Sequence, residues 1–414
     1  MWRRSLFLVL LSPLAAGAQD RVLTLEQAMD RATLDAPQIA ASTAMLEGAQ
    51  AVATSAGRLP DPELVTGVDN LPVDTADRFS FTRDFMTMRK IGVMQSFPSA
   101  AKRRLQSERA RREIDVAEGE LRKSRFDTSH AVAEAWIACA IAEQSLARLQ
   151  GLRPETELQA SAARAALSSG RATAADALGA QNLIAGLDQR ILSLQQEVEV
   201  QRAELARWIG TDADLPLAPI PVDRELEHSP NALVAAVSEH APLAPLVAQL
   251  DAAKVDAELA RAGKRPDWSA ELSYAKRGPD FSNMVSLEFR VGLPLFPKYR
   301  QDPLIAGKLA AVRAKEAERD SEVRMHTAEV RSALAQWRFG RERLQSYSKE
   351  ILPLAHDRSR AAIASYSAGR GDLNAALDAL TEEINAQLEE VQLRGSVARA
   401  WVFLHLLHDS GATP

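Results

Sequence analysis

The sequence predicts a mainly α fold with a small β part, laid out as two copies of a long helical hairpin that each carry a pair of strands. Three observations carry that reading. The chain repeats its landmarks at a spacing of about 200 residues, good helix formers fill most of each copy, and a short stretch in each copy switches to a period of two.

The duplication orders everything else. Gly57, Pro60 and Asp61 return as Gly263, Pro266 and Asp267; Gly92 as Gly292; Phe97-Pro98 as Phe296-Pro297; Trp136 as Trp337; Leu178 as Leu377; and Leu205 as Leu404. Solenoid repeats run to about 20 to 50 residues, so each copy here is a module of several elements and the chain is a fused pseudo-dimer. The layout is a first repeat over 19–210, a connector over 211–230, a second repeat over 231–410 and a tail over 411–414.

Residues 1–18 read as a secretory signal: Trp2-Arg3-Arg4 is basic, Leu6 to Leu14 is mainly apolar, and Ala16-Gly17-Ala18 offers small residues for cleavage. The formal charge of −5 becomes −5 − 2 = −7 without Arg3 and Arg4, and no basic cluster exists, which excludes a nucleic-acid surface. Cys139 is the only cysteine, so no intrachain disulfide forms. It lies far from the processing site, which excludes a lipid-anchored mature N-terminus. Outside the signal no segment reaches about 18 consecutive apolar residues, so an exported chain is either soluble or crosses an outer membrane by β-strands.

From Ser99 to Ser168 only Gly119 and Gly151 interrupt a run rich in Ala, Leu, Glu, Arg and Gln, which predicts one helix about 105 Å long. A returning helix follows in each copy. Its apolar stripe is Leu183, Leu187, Ile191, Leu194, Val198 and Leu205 in the first, and Leu377, Leu380, Ile384, Leu388, Val391 and Ala398 in the second. Steps of three and four give a coiled-coil-like seam that forms the core of a helical hairpin. Pro154 and Pro353 fall inside the long helices and are expected to kink or interrupt both at the same place. The connector, with Pro216, Pro219, Pro221 and Pro230, is expected to be extended and packed on the outside.

The strand pairs sit at about 62–96 and 268–296. Ser269, Glu271 and Ser273 alternate with Ala270, Leu272 and Tyr274; then Val285, Leu287, Phe289, Val291 and Leu293 alternate with Met284, Ser286, Glu288, Arg290 and Gly292. The first copy sets Leu64, Thr66 and Val68 against Glu63, Gly67 and Asp69, followed by a strand from about Phe81 to Gln95. Aligning Gly92 on Gly292 puts Phe85, Ile91 and Val93 on the apolar face together with Arg89, which must snorkel at a membrane interface. Met86, Met88 and Met94 share the other face, and Met86 and Met88, with Glu288 and Arg290, are candidate lumen residues.

Apolar-faced strands of about 9 to 11 residues suit a transmembrane barrel, but four strands cannot close one, and open edges are forbidden in lipid. Copies of the chain must complete one another. The soluble alternative packs each apolar strand face on the helices.

The order "LTLEQAMDRATLDAP", "GRLPDPEL", "IGVMQSFP", "LSSGRATAAD", then "GKRPDW", "VGLPLFP" and "ILPLAHDRSRAAIASYSAGRGDLNAALDA" resembles the TolC-type outer-membrane efflux channels over nearly the whole chain after the signal. The resemblance implies a homotrimer in a Gram-negative outer membrane. Three chains of four strands form a 12-stranded transmembrane β-barrel continuous with a long periplasmic α-helical barrel. It implies a passive conduit, contacting outer-membrane lipid and docking onto a periplasmic adaptor and an inner-membrane resistance-nodulation-division pump. "DPELVTGVDNLPVD" and "DFMTMRKIGVMQSFP" are most similar to the outer-membrane components of heavy-metal systems, so the implied cargo is heavy-metal cations. A drug or other small-molecule cargo is the alternative.

The turns at Gly170-Arg171 and Gly369-Arg370 correspond in such channels to the periplasmic tips, where the helical barrel narrows to a gate. Carried over by position, Asp176 matches the gate aspartate, Tyr366 the gate tyrosine, and Asp378 the inner constriction aspartate. The outer constriction aspartate falls on Ala375, and the gate arginine falls on Gly371, with Arg370 one position early. A second reading of the acids is local: Thr173 with Asp176 forms a capping box, Asp372 an N-cap, and Asp378 a solvated face with Glu382 and Glu383.

Other functions fare worse. There is no nucleophile elbow, phosphate-cradling loop or H-E-x-x-H, which argues against an enzyme and any cofactor. His405 and His408 stand i, i+3 and the other histidines are scattered, so no tight metal site is expected; Met86, Met88 and Met94 could meet soft Cu(I) or Ag(I), or simply fill the wall. A periplasmic adaptor would carry one hairpin flanked by β-rich domains, not two alternating with strand pairs.

Overall fold

The computed structural model describes residues 22–170 and 173–409, so the signal segment, Arg171 and the 411–414 tail lie outside the described residues. Its helices are α1 (Leu25–Asp35), α2 (Pro37–Ser55), α3 (Ala100–Ser168), α4 (Ala174–Ile209), α5 (Pro230–Ala235), α6 (Ala244–Ala262), α7 (Gln301–Ser346), α8 (Leu352–Ser367) and α9 (Leu373–Asp409). The strands are β1 (Glu63–Asp69), β2 (Met88–Phe97), β3 (Trp268–Lys276) and β4 (Met284–Val291). No helix among the described residues is long and apolar enough to cross a membrane.

The chain forms two compact units, each drawing on both sequence repeats. One comprises Met1–Leu34, Ser129–Glu225 and Ala335–Val402. Its core is the expected seam, with a difference: Leu149 of α3, Leu187 and Ile191 of α4, and Leu380 and Ile384 of α9 bury one another. The two hairpins therefore share one core instead of each holding its own. Trp136 is fully buried and donates from its indole N–H to the Leu23 carbonyl, 3.2 Å away. Leu23 bridges Leu217 of the connector, which is extended there after a tight turn over Gly210–Asp214. Cys139 is buried beside Glu143, and burial pushes its thiol up to about 12.

The prolines act differently in the two copies. Helix α3 is continuous through Pro154, so of the expected kink or interruption the interruption does not occur. Before Pro353 the helix widens into a π turn over Tyr347–Ile351, which makes room for the pyrrolidine ring, and α8 starts just ahead of it.

The other unit comprises Asp35–Thr128, Leu226–Leu334 and Phe403–Pro414, and holds all four strands. They form one antiparallel meander in the order β1-β2-β3-β4. The strand expected from Phe81 begins only at Met88. Residues before it form a loop because local side chains capture the backbone: the Ser80 hydroxyl accepts from the Arg83 N–H, and the Asp84 carboxylate from the Met86 and Thr87 N–H groups. Phe85 and Met86 thus leave the strand faces assigned to them. Beneath the sheet, Asp256 of α6 holds Arg109 of α3 at 2.6 Å and Lys308 of α7 at 2.9 Å. Burial opposes ionisation of Asp256, but hydrogen bonds and charge from Lys308 and Arg109 outweigh it and hold the carboxyl below the usual carboxylate range.

Asp256→Asn leaves Lys308 without its carboxylate and Arg109 with Glu113 alone, and should destabilise the protein by about 1–3 kcal/mol, read as an earlier thermal loss of helical circular dichroism. Because the folded-state pKa is depressed, this contribution is present above the unfolded carboxylate range and disappears as pH falls through the folded value. The wild-type and variant melting curves should therefore converge on acidification, and a gap that does not narrow as the pH falls would refute the assignment.

Candidate functional site

The β-sheet carries the first candidate site. The cross-strand register places Leu64, Val68, Ile91, Val93, Leu272, Tyr274, Val285, Leu287, Phe289 and Val291 on one face. Every one is between 41 and 70% exposed. Near the helix-joined ends of the strands, Phe97 stacks on Trp268 with ring centroids 4.1 Å apart. These apolar side chains do not fold back onto the helices.

The opposite face is polar, with one buried carboxylate at its centre. Glu271 is only 3% exposed; its carboxylate takes Lys90 at 3.3 Å from β2 and Arg290 at 2.8 Å from β4. Arg290 also holds Glu288 at 2.7 Å and touches the Met94 sulfur at 3.1 Å, while Lys90 reaches Asp69 at 3.8 Å. Register adds Met88 and Glu63 to this face. Of its charged residues, Glu63, Asp69, Glu271 and Glu288 are acidic and Lys90 and Arg290 basic, an excess of 4 − 2 = 2 negative charges per chain. A sheet with its apolar face open and a buried carboxylate at the centre of the other inverts the usual soluble pattern and suits a membrane barrel wall.

Sequence parity found Glu288, Arg290 and Met88 on this face but missed Glu271 and Lys90 as its centre. Lys90 shares its parity with Gly92 and Met94, a signal that was available. Its pairing with Glu271 needed the register between repeats. Met86, expected on the same face, lies in the loop before β2.

The second candidate site lies in the other unit, where each long hairpin turns. Gly170 and Gly369 have φ of 73° and 71°, the left-handed conformation that favours glycine. At Gly369 the helix ends in a Schellman motif: Gly369 N–H donates to the Tyr366 carbonyl at 2.9 Å and Arg370 N–H to the Ser365 carbonyl at 3.0 Å. Gly371 departs from the gate pattern for a physical reason: a Cβ there would sit 2.7 Å from the Ser365 hydroxyl and 3.0 Å from the Tyr366 nitrogen. Arg370 is exposed one position earlier.

At the first turn, Thr173 and Asp176 form a complete capping box at the start of α4. Both the backbone N–H and the hydroxyl of Thr173 donate to Asp176 Oδ2 at 2.8 Å, and these bonds, the backbone one first, hold the Asp176 carboxyl below its usual range. Asp378 is exposed on α9 and forms no ion pair among the described residues, whereas Glu382 pairs with Arg358 and Glu383 with His356. The Tyr366 ring packs against Ala160, Ala163, Ala180, Leu373 and Leu377, and its buried hydroxyl finds no hydrogen-bond partner among the described residues.

Residues 232–408 match the family model described as outer membrane efflux protein. No curated protein sequence matches the chain. The fold is that of solved outer-membrane channels. It is similar to the outer-membrane channel OprN, with TM-score 0.78, 17% identity and coverage of 94% of this chain and 90% of that one. It is similar to CusC, solved in relation to folding and transmembrane channel formation, with TM-score 0.78, 17% identity and coverage of 92% and 90%. It is also similar to the outer membrane protein VceC from Vibrio cholerae, with TM-score 0.76, 19% identity and coverage of 94% and 96%.

The tip geometry is testable without a transport assay. Thr173→Ala should cost about 1 kcal/mol through the lost cap, Thr173→Ser should restore it, and thermal melts that do not distinguish the three proteins would contradict the capping role.

Proposed function

We propose that this chain, which has the fold of the TolC-type outer-membrane channels and carries over residues 232–408 the signature of the outer membrane efflux protein family, is the outer-membrane conduit of a tripartite efflux system. The observation that carries the reading is the inverted sheet. Its apolar face is exposed within the chain and suits lipid, while the Lys90–Glu271–Arg290 network suits an aqueous lumen.

Three chains supply twelve strands, enough to close a barrel in which β4 of one copy meets β1 of the next. Helix α2 buries none of its residues in the chain's own core although it carries Ile39, Met45 and Val52, which supports an association of copies along the helices too. The conduit works passively, with a periplasmic adaptor and an inner-membrane pump as partners.

The tip residues Asp176, Tyr366, Arg370 and Asp378 form the periplasmic gate in this reading. Three-fold symmetry gathers three Asp378 carboxylates, without an ion pair among the described residues, near one axis, and each polar sheet face adds two surplus negative charges, so the pore favours cations. Asp176 serves as helix cap and gate residue together, its lowered pKa keeping it charged. The cargo proposed from the sequence resemblance is heavy-metal cations; small organic solutes are the second reading, equally compatible with a passive pore.

In a planar bilayer the purified protein should form cation-preferring pores, and Asp378→Ala should raise the single-channel conductance. Unchanged conductance and selectivity would remove Asp378 from the constriction, and absence of pores would overturn the channel reading. A deletion strain should lose tolerance to one or more of copper, silver, zinc, cobalt and cadmium; tolerance that is untouched for all five would leave organic solutes as the cargo.

A further inference from the structure

The apolar face of the sheet carries two cations that it does not neutralise. Arg89 of β2 and Lys276 of β3 are direct cross-strand partners, so both point to the face formed by Val68, Ile91 and Tyr274. Both are exposed. Neither forms an ion pair with a carboxylate among the described residues; the Arg89 guanidinium meets only the Arg277 carbonyl, at a long 3.4 Å. The nearby acid Asp84 spends its carboxylate on the Met86 and Thr87 N–H groups, and Arg277 is held by the Phe85 carbonyl and the Phe281 ring. Like charges directly opposite each other in a sheet are destabilising unless an anion lies between them.

Their position names the anion. Arg89 is the second residue of β2 and Lys276 the last of β3, at the strand ends joined to the 70–87 loop and the 277–283 turn, whereas the helices attach at the opposite ends. On a sheet crossing the outer membrane from a helical periplasmic side, that end meets the outer leaflet. Along the same face toward the helices, the exposed surface continues through Ile91, Tyr274, Leu272 and Val93. Two cations above a strip of apolar side chains match an amphiphile with an anionic head and acyl chains. A guanidinium beside an ammonium suits a phosphate, which accepts bidentate bonds from the first and a point charge from the second.

We propose that Arg89 and Lys276 bind a phosphate group of an outer-leaflet glycolipid whose acyl chains lie on Ile91 and Tyr274. The site rests on the reading of this sheet as a barrel wall. It gives each chain one fixed lipid on the seam where the two sequence repeats pair, β2 against β3, and relieves the repulsion there.

The test uses the full protein recovered from outer membranes in mild detergent, as wild type, Arg89→Gln with Lys276→Gln, and Arg89→Lys. Binding of bis-phosphorylated lipid A, of its dephosphorylated form and of inorganic phosphate is followed by native mass spectrometry and competition. Wild type and Arg89→Lys should bind the phosphorylated lipid, the double variant should bind it at least about tenfold more weakly, and the dephosphorylated lipid should bind all three equally poorly. Equal binding of the phosphorylated lipid by wild type and double variant, or of the two lipids by wild type, would overturn the site. Displacement by inorganic phosphate at the concentrations at which the lipid itself competes would assign it to free phosphate and overturn the lipid. Unchanged heat-modifiable migration of the variants shows that folding is intact. Absence of the wild type from the outer membrane would overturn the barrel-wall reading and the site with it, while unchanged lipid binding in an outer-membrane oligomer defeats the site alone.

Discussion

Backbone hydrogen bonding at the edges of the sheet is the constraint on which the structure turns. Among the described residues β1 pairs only with β2, and β4 only with β3, so each outer edge of the meander presents unpaired N–H and C=O groups. In water such groups are solvated; in hydrocarbon each costs several kcal/mol. In the proposed channel the face on which Leu272, Val285, Leu287 and Phe289 stand more than half exposed meets lipid, and strands from other copies pair the edges.

The helices meet their own constraint differently. A long hairpin with an apolar stripe needs something to cover it, and Leu187, Ile191, Leu380 and Ile384 cover one another across the two repeats. Duplication followed by fusion thus produces a shared core within one chain, where two separate copies would have to associate. The repeats have since diverged in detail. Pro154 is carried within a continuous helix, Pro353 is accommodated by a π turn, and the turn after Gly369 closes so tightly that Gly371 has no room for a side chain.

Much of this was legible in the sequence. The two strand faces, the seam residues, the glycine turns and the Thr173–Asp176 cap follow from period, spacing and local chemistry, each of which acts over a few residues. Features set by pairing between distant segments were not. The start of β2 was misplaced because Ser80 and Asp84 seize backbone donors that a pattern of apolar residues does not reveal. The Lys90–Glu271 ion pair joins residues from different repeats, and only the β2–β3 register aligns them. The cap at Asp176 was visible as a motif, yet its geometry leaves the gate role to a measurement on the assembled pore.

The central claim is that one chain supplies too little sheet to seal a pore, and the mass of the particle in the membrane tests it most directly. The protein extracted from outer membranes in mild detergent and weighed by native mass spectrometry should contain three chains, and heating should release single chains. A monodisperse single chain recovered from the aqueous periplasmic fraction without detergent would contradict the account.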